Sequence, residues 1–316
     1  MDTLFPLYVF VLFALYIGHV VAVENFVTAE VMFSLYDDTI KVPYEGVSQT
    51  LIYFEQKGIV DFRPILLDDK HNQVIVGARD HVFRLNEQSL APLEKFEWLA
   101  SSDSVEACLM RWSDKFDCRN FIRMLIMKDD SSLLICGTNA FSPACMWRNA
   151  NGLSASVQDP FNGIGYVPFS PRYDHTYLFS RENHLYTGVG IDTSGDDSSF
   201  LRMMPDGLFL RIEKANSLSL NEPVFVAAFD VDPFVYFFFR ETAMEVLSSG
   251  KVTYARIARV CKNDIGGTIR LHGYWTTFTK ARLVCGVSES DSLNFVRAVE
   301  YVEEEQSFYA IFTSSE

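Results

Sequence analysis

The stretch from Phe229 to Cys285 constrains the fold more than any other part of the chain. Within it, Val235 to Phe239 is a run of β-branched and aromatic residues that Asp232-Pro233 precedes and Arg240-Glu241 follows. An apolar run this short, placed between turn-forming and charged residues, is typical of a buried strand and too short for a helix. We therefore predict a central strand at this position.

The residues after this run predict neighbouring strands. Ser248-Ser249-Gly250 has the composition of a turn, and Val252 to Val260 then alternates in polarity as a half-buried strand does. Gly266-Gly267 interrupts the chain, and Ala281 to Cys285 forms a third short apolar run. Together these segments predict an antiparallel meander.

Short apolar runs separated by turn residues continue along the chain, with no sustained helical period. The other predicted strands are residues 59–67, 73–85, 121–127, 133–137, 177–180, 184–189, 208–212, 224–229, 295–301 and 308–312. Gly77 is expected to be a point of close approach or a bulge. The density of strands indicates an all-β fold and is compatible with a propeller, although periodicity alone does not separate a propeller from a sandwich.

Composition excludes some functions. The 316 residues are 48% hydrophobic and 14% aromatic, so the chain can bury a large core. The net charge is −14 and the sequence contains no run of Lys or Arg, which argues against nucleic-acid binding. An acidic surface would suit a basic patch on a partner, or would simply favour solubility.

The N-terminus predicts export. Residues 4–17 are almost wholly apolar, and Val20-Val21-Ala22 places small residues where signal peptidase cleaves, so residues 1–22 are predicted to be a signal peptide. An uncleaved anchor over Leu4 to Val23 is the alternative, but Gly18 and His19 shorten its apolar core.

Six cysteines fit an exported protein. Cys108 and Cys118 flank one group of turn-forming residues, and Cys136 and Cys145 flank another, so local disulfides are the simplest arrangement. Sequence alone does not fix the pairing, and buried free thiols remain an alternative. The chain has neither a CxxC pair nor an HxxxH spacing, and zinc is not predicted.

Motifs for catalysis or cofactors are weak. Gly188-Val-Gly190 begins like a dinucleotide-binding loop, but Thr193 replaces the third glycine and no helix is predicted after it. Asp192, Asp196 and Asp197 form an acidic cluster whose spacing does not match a calcium-binding loop. We therefore expect a protein that is not an enzyme and that carries no cofactor or metal.

Several motifs resemble those of one family, the semaphorins. They are YFFFRE (236–241), YARIARVCKNDIGG (254–267), WTTFTKARLVC (275–285), VGARDHVFRLN (76–86), CLMRWSDKFDCRNFIRML (108–125), LLICGTNAFSPAC (133–145) and LNEPVF (220–225). In order and spacing they are similar to the sema domain over residues 45–313. One motif departs from the family: GIGYVPFSP has Val167 and Ser170 where cysteine and aspartate are usual. Val167 keeps the position apolar, so the packing there is expected to survive.

The resemblance implies a seven-bladed β-propeller, of which about the first four blades are present, with residues 23–316 as its N-terminal part. It implies the disulfides Cys108–Cys118 and Cys136–Cys145. It also implies that Cys261 and Cys285 bond to partners beyond the end of this chain, although a bond between these two cysteines is an alternative.

The implied function is that of an extracellular ligand, secreted or membrane-anchored through another region, which binds plexin receptors as a homodimer in axon guidance and cell migration. Nucleic acids and small-molecule substrates are not expected. The corresponding receptor-binding loops are residues 192–198 and 241–251, and their charged tips are Asp196, Asp197, Glu245 and Lys251. A sema-domain receptor of the plexin or growth-factor-receptor type is one alternative, and a propeller glycosidase is another.

Overall fold

A computed structural model describes residues 52–111, 114–156, 158–203, 209–214, 216–245, 250–286 and 293–314. The predicted signal peptide, residues 1–22, lies outside these ranges. Within them the chain is mostly β-strand, with a helix α1 (Ser102–Arg111) and a 3-10 turn (Asp69–His71).

The strands are short and follow one another closely. They are β1 (Ile65–Asp68), β2 (Gln73–Ala78), β3 (His81–Asn86), β4 (Pro92–Glu97), β5 (Ile122–Met127), β6 (Ser132–Gly137), β7 (Ala144–Asn149), β8 (Gly152–Ser156), β9 (Phe161–Asn162), β10 (Thr176–Phe179), β11 (Leu185–Gly190), β12 (Ser198–Met203), β13 (Phe209–Leu210), β14 (Val224–Val231), β15 (Phe234–Thr242), β16 (Thr253–Cys261), β17 (Thr279–Arg282), β18 (Phe295–Val302) and β19 (Ser307–Thr313).

Consecutive strands pair to form the blades of a propeller. The sheets are β1 to β4, β5 to β8 with β9 added on β7, β10 to β13, and β14 to β17, followed by the pair β18 and β19. The fourth sheet contacts its neighbours through its first strand, since β14 packs against β10 on one side and β18 on the other. The prediction of an all-β propeller with about four blades is confirmed.

The strand topology brings two kinds of connection together on one face of the propeller. Because the strands of a blade alternate in direction, the turn between its second and third strands and the connection that enters its first strand lie on the same face, which we call the entry face. Contacts between the first two blades agree with this arrangement: the Asp80 amide, in the turn between β2 and β3, donates to the Asn120 carbonyl oxygen just before β5 (2.6 Å).

The largest apolar cluster lies between the third and fourth blades. Phe237 and Phe239 of β15 are fully buried, and the Phe237 ring stacks on that of Phe200 in β12, with 4.2 Å between centroids. Stacked aromatic pairs of this kind stabilise a fold beyond the free energy gained by burying apolar surface. The predicted central strand is therefore confirmed: β15 lies between β14 and β16.

A partly buried carboxylate joins the first two blades. Glu94 of β4 accepts hydrogen bonds from the Arg84 guanidinium (3.0 Å) and from the amides of Leu153 and Ser154 in β8 (both 3.0 Å). Burial alone would raise the pKa of Glu94, but these hydrogen bonds outweigh it and lower the pKa to about 2. The ionised carboxylate thus connects the two sheets.

Two sequence predictions need correction. Residues 73–85 form two strands instead of one, because the chain reverses at Arg79 and Asp80. Asp80 has a φ of +64° and is buried, and its side chain accepts from the Asn120 amide (3.0 Å) and pairs with Arg119 (2.6 Å). The predicted strand at 59–67 also shortens, since β1 begins only at Ile65.

Residues 98–111, where no strand is predicted from the sequence, include the helix α1. Ser101 precedes it, and the Ser101 hydroxyl accepts a hydrogen bond from the Ser104 amide (3.1 Å) as an N-cap does. Asp103 in the first turn and Arg111 in the last turn match the charges that the helix dipole favours.

Candidate functional site

Both predicted receptor-binding loops lie on the entry face. Residues 191–197 join β11 to β12, and residues 243–252 join β15 to β16, of which 246–249 lie outside the described ranges. Each loop connects the second and third strands of its blade. The two loops therefore project from the same face of adjacent blades.

The first loop is organised from within by its acidic side chains. Asp192 accepts from the Ser194 hydroxyl (2.7 Å) and the Asp197 amide (3.1 Å). Asp197 forms an ion pair with Arg211, and both side chains are largely buried. Asp196, by contrast, is exposed and makes no side-chain contact with the residues that the structure describes. Of this acidic cluster, Asp196 is the carboxylate most available to a partner.

The second loop is tied to the centre of its blade. Both carboxylate oxygens of Glu245 accept from Nη2 of Arg256 in β16, at 2.6 and 2.8 Å. Burial opposes ionisation of Glu245, yet hydrogen bonding to Arg256 lowers its pKa overall. Half of the Glu245 side chain remains exposed, so it can still meet a partner while it positions the loop.

Lys251 is the remaining predicted contact residue. Its ammonium group lies 2.5 Å from Glu222, and both side chains are mostly exposed. The hydrogen bond from Lys251 lowers the pKa of Glu222. Exposed pairs of this kind contribute little to stability, so the Lys251 charge remains available for recognition.

The disulfides implied by the resemblance are present. Cys108 bonds to Cys118 with 5.7 Å between their Cα atoms, and Cys136 bonds to Cys145 across β6 and β7 with 4.1 Å between theirs. Cys261 and Cys285 are not bonded to each other. Cys285 is buried, and burial raises the pKa of its thiol.

A cluster of arginines on the same face was not predicted. Arg63, Arg123 and Arg172 line a common cavity, although they are far apart in the sequence. One local signal marks Arg123, because it is a cation inside the otherwise apolar predicted strand 121–127. The other two lie in irregular segments and carry no such signal.

Other kinds of site are not seen in the described ranges. There, no group of three or more His, Cys, Asp or Glu side chains could bind a metal ion. No helix in the same ranges is long and apolar enough to cross a membrane.

Comparison with known proteins identifies the family. No family model matches the chain. The chain is 38% identical to Semaphorin-5B of Mus musculus over 276 residues, which are 87% of this chain and 25% of that protein. It therefore spans about a quarter of the length of the curated relatives that it matches.

Solved structures agree with the sequence relatives. Drosophila Semaphorin 2a superposes with a TM-score of 0.73 at 32% identity, over 81% of this chain and 46% of that one. A chain of the structure entitled Drosophila Plexin A in complex with Semaphorin 1b gives a TM-score of 0.72 at 32% identity, over 83% of this chain and 50% of that one. Sequence identity and a shared propeller together show that this chain belongs to the semaphorin family and that its described residues have the sema-domain fold.

Proposed function

We propose that this chain is part of an extracellular semaphorin-type ligand that binds a plexin receptor through the entry face. The observation that carries the proposal is the similarity to a chain of the complex between Plexin A and Semaphorin 1b, at a TM-score of 0.72 and 32% identity. Roles in axon guidance and cell migration belong to the same proposal, as does an extracellular location that is secreted or membrane-anchored through a region outside this chain.

The geometry of the entry face supports a binding role. Arg211 fixes Asp197 in the first loop and Arg256 fixes Glu245 in the second, so these two positions need little further ordering when a partner binds. Asp196 and Lys251 present exposed charges from these loops. Exposed charges at an interface mainly set orientation and association rate, and Asp197 and Glu245 act mainly by positioning the loops.

A plexin-binding assay with charge-reversal variants tests this proposal. The secreted chain is passed over the immobilised extracellular regions of plexins, and association rates are compared for the native chain and for Asp196→Lys. We expect a slower association for Asp196→Lys, by several-fold and more strongly at low salt. Glu304→Lys is the control, since Glu304 is exposed in the turn between β18 and β19, on the opposite face.

Two results would count against the proposal. One is that a folded chain binds none of the plexins. The other is that Glu304→Lys slows association as much as Asp196→Lys, because the effect would then reflect net charge and not the entry face.

Assembly and processing are further parts of the proposal. We infer that the full protein is a homodimer, because two weak receptor contacts on one particle act together. Sedimentation of the secreted protein tests this. We also infer that residues 1–22 are removed on export, which N-terminal sequencing of the secreted protein tests.

A further inference from the structure

The entry face contains a cavity of about 330 Å³ where the chain enters the first strands of three blades. Arg63 lies just before β1, Arg123 lies in β5, and Arg172 lies just before β10. Asp61 and Asp117 line the same cavity, so three arginines face two aspartates and the lining has a net charge of +1. In a chain whose net charge is −14, three arginines around one cavity are a local concentration of positive groups.

Arg172 is already neutralised by neighbouring carboxylates. Its Nε donates to Asp117 at 2.6 Å, and its Nη2 donates to Asp114 at 2.6 Å. This ion triplet connects the disulfide-bounded segment 108–118 to the third blade. Among the described residues Asp117 forms no ion pair with Arg63 or Arg123, although its buried Oδ1 accepts no hydrogen bond there.

Arg123 is buried and has no carboxylate partner among the residues that the structure describes. The residue is 9% exposed, its Nη2 donates to the Tyr173 carbonyl oxygen at 2.9 Å, and its Nε meets no acceptor in the described part of the chain. Burial lowers the pKa of Arg123, and the negative charge of Asp174 opposes that effect. A buried guanidinium without an anionic partner is unfavourable, so an anion that reached it would be strongly attracted.

Arg63 supplies a second available cation. Its side chain is exposed and makes no hydrogen bond or ion pair with the residues that the structure describes. Its backbone is fixed, because the Arg63 amide donates to the Gly77 carbonyl oxygen (2.8 Å) and the Gly77 amide donates to the Pro64 carbonyl oxygen (2.9 Å). The guanidinium therefore extends from a fixed point at the rim of the cavity.

We propose that this cavity is a binding site for a single oxyanion group, a carboxylate or a sulfate, received between Arg63 and Arg123. The planar fork of donors on each guanidinium matches the oxygens of such a group. The site is distinct from the loops 191–197 and 243–252, and it does not depend on plexin binding. It gives the entry face a second point of recognition, for an acidic group.

Calorimetric titration of the secreted chain with sodium sulfate, at constant ionic strength, tests the site. Arg63→Gln is expected to weaken binding by about tenfold, because it removes a charged donor without disturbing any contact in the fold. Asp61→Asn is expected to strengthen binding, because it removes the opposing charge and asparagine accepts the φ of +60° at this position. Arg270→Gln, an exposed arginine in the connection between β16 and β17, is the matched control.

The two variants are expected to change the affinity for sulfate in opposite directions, so a general loss of folding cannot produce the expected result. Saturable binding that Arg63→Gln weakens and Asp61→Asn strengthens supports the site. The proposal is overturned if sulfate does not bind, if Arg270→Gln weakens binding as much as Arg63→Gln, or if the two cavity variants shift affinity in the same direction. Arg123→Gln should abolish binding where the variant remains folded.

Competition distinguishes the source of the anion. Displacement of sulfate by N-acetyl-aspartate amide would identify a protein carboxylate as the ligand, and displacement by a sulfated disaccharide would identify a glycan sulfate. Either outcome supports an accessible oxyanion site. If neither compound displaces sulfate, the cavity does not admit a group carried on a larger molecule, and the proposal fails.

Discussion

Glu245 and Arg256 connect the entry face to the interior of the fourth blade. Nη2 of Arg256 donates to both oxygens of Glu245, at 2.6 and 2.8 Å, while its Nε donates to Glu241 at 2.9 Å. Glu241 is 2% exposed and also receives a hydrogen bond from Lys280 (2.5 Å). One guanidinium therefore both positions a loop and balances a buried charge.

Replacement of Arg256 should therefore destabilise the fold. We expect Arg256→Gln to lower the free energy of unfolding by about 3 kcal/mol, since it leaves Glu241 buried with one cation instead of two. Urea unfolding measures the difference. Arg259→Gln, on the same strand but exposed and packed over the Phe234 ring at 4.4 Å, should cost less than about 1 kcal/mol. Equal losses from the two variants would contradict this explanation.

Gly77 lies where two blades approach closely. A Cβ atom at this position would lie 2.7 Å from Cγ2 of Ile122 and 2.9 Å from the Arg63 carbonyl oxygen. We therefore expect Gly77→Ala to destabilise the fold by about 1–3 kcal/mol through overpacking. Gly152→Ala is the control, because a Cβ atom there meets no atom within 4 Å, and it should change stability by less than about 1 kcal/mol. Thermal unfolding of the two variants compares them directly.

The strands of the fourth blade could be predicted because their signal is local. The apolar run in β15 and the alternation in β16 reflect burial that each strand experiences along its own length. Val167, predicted to keep its position apolar, is fully buried in the same apolar cluster as the Cys136–Cys145 disulfide. A buried position of this kind requires only an apolar residue, and that requirement can be read from the sequence alone.

The turn at Asp80 and the loop contacts could not be predicted in the same way. Asp80 adopts a positive φ because of contacts with Arg119 and Asn120, about forty residues later. The contact residues are predicted from their charge alone. The local sequence pattern does not show that Asp197 pairs with Arg211 or that Glu245 pairs with Arg256. Long-range ion pairs are set by topology, which determines which turns share a face.

Lys262 lies in an acidic setting between the third and fourth blades. Its ammonium group is 2.5 Å from Glu182, 2.7 Å from Asp230 and 3.3 Å from Asp232. Burial opposes its charge, but hydrogen bonds to these carboxylates raise its pKa overall. The side chains of Lys262 and Asp230 are each 9% exposed, so neither charge is well solvated.

Lys262→Met should therefore destabilise the fold by about 3 kcal/mol, because Asp230 is left buried without its cation. Lys70→Met provides the comparison, since Lys70 pairs with Asp130 on the surface with both side chains more than 70% exposed. That variant should cost much less than Lys262→Met, because solvent screens an exposed ion pair. Urea unfolding compares the two variants, and a loss for Lys70→Met as large as that for Lys262→Met would argue against the role of burial.

His175 should make the fold sensitive to mild acid. Its ring nitrogens are buried, and burial followed by the nearby charge of Arg123 lowers its pKa from 6.5 to about 3. The folded state thus keeps the imidazole neutral while the unfolded chain takes up a proton below about pH 6.5. The contribution of the neutral His175 to stability is fully present above about pH 6.5. It falls as the pH drops toward 3, by at most about 1.4 kcal/mol per pH unit.

The pH range over which stability changes distinguishes His175 from the partly buried carboxylate Glu94. Because the pKa of Glu94 is lowered from 4.5 to about 2, its contribution is lost only below about pH 4.5. Between pH 6.5 and 5 the native chain should lose about 1.5–2 kcal/mol, and His175→Gln should remove most of that loss. The matched control is His272→Gln, which replaces an exposed histidine by the same residue. Urea unfolding at each pH decides the matter: an unaltered slope in His175→Gln would show that the imidazole is not the group that titrates.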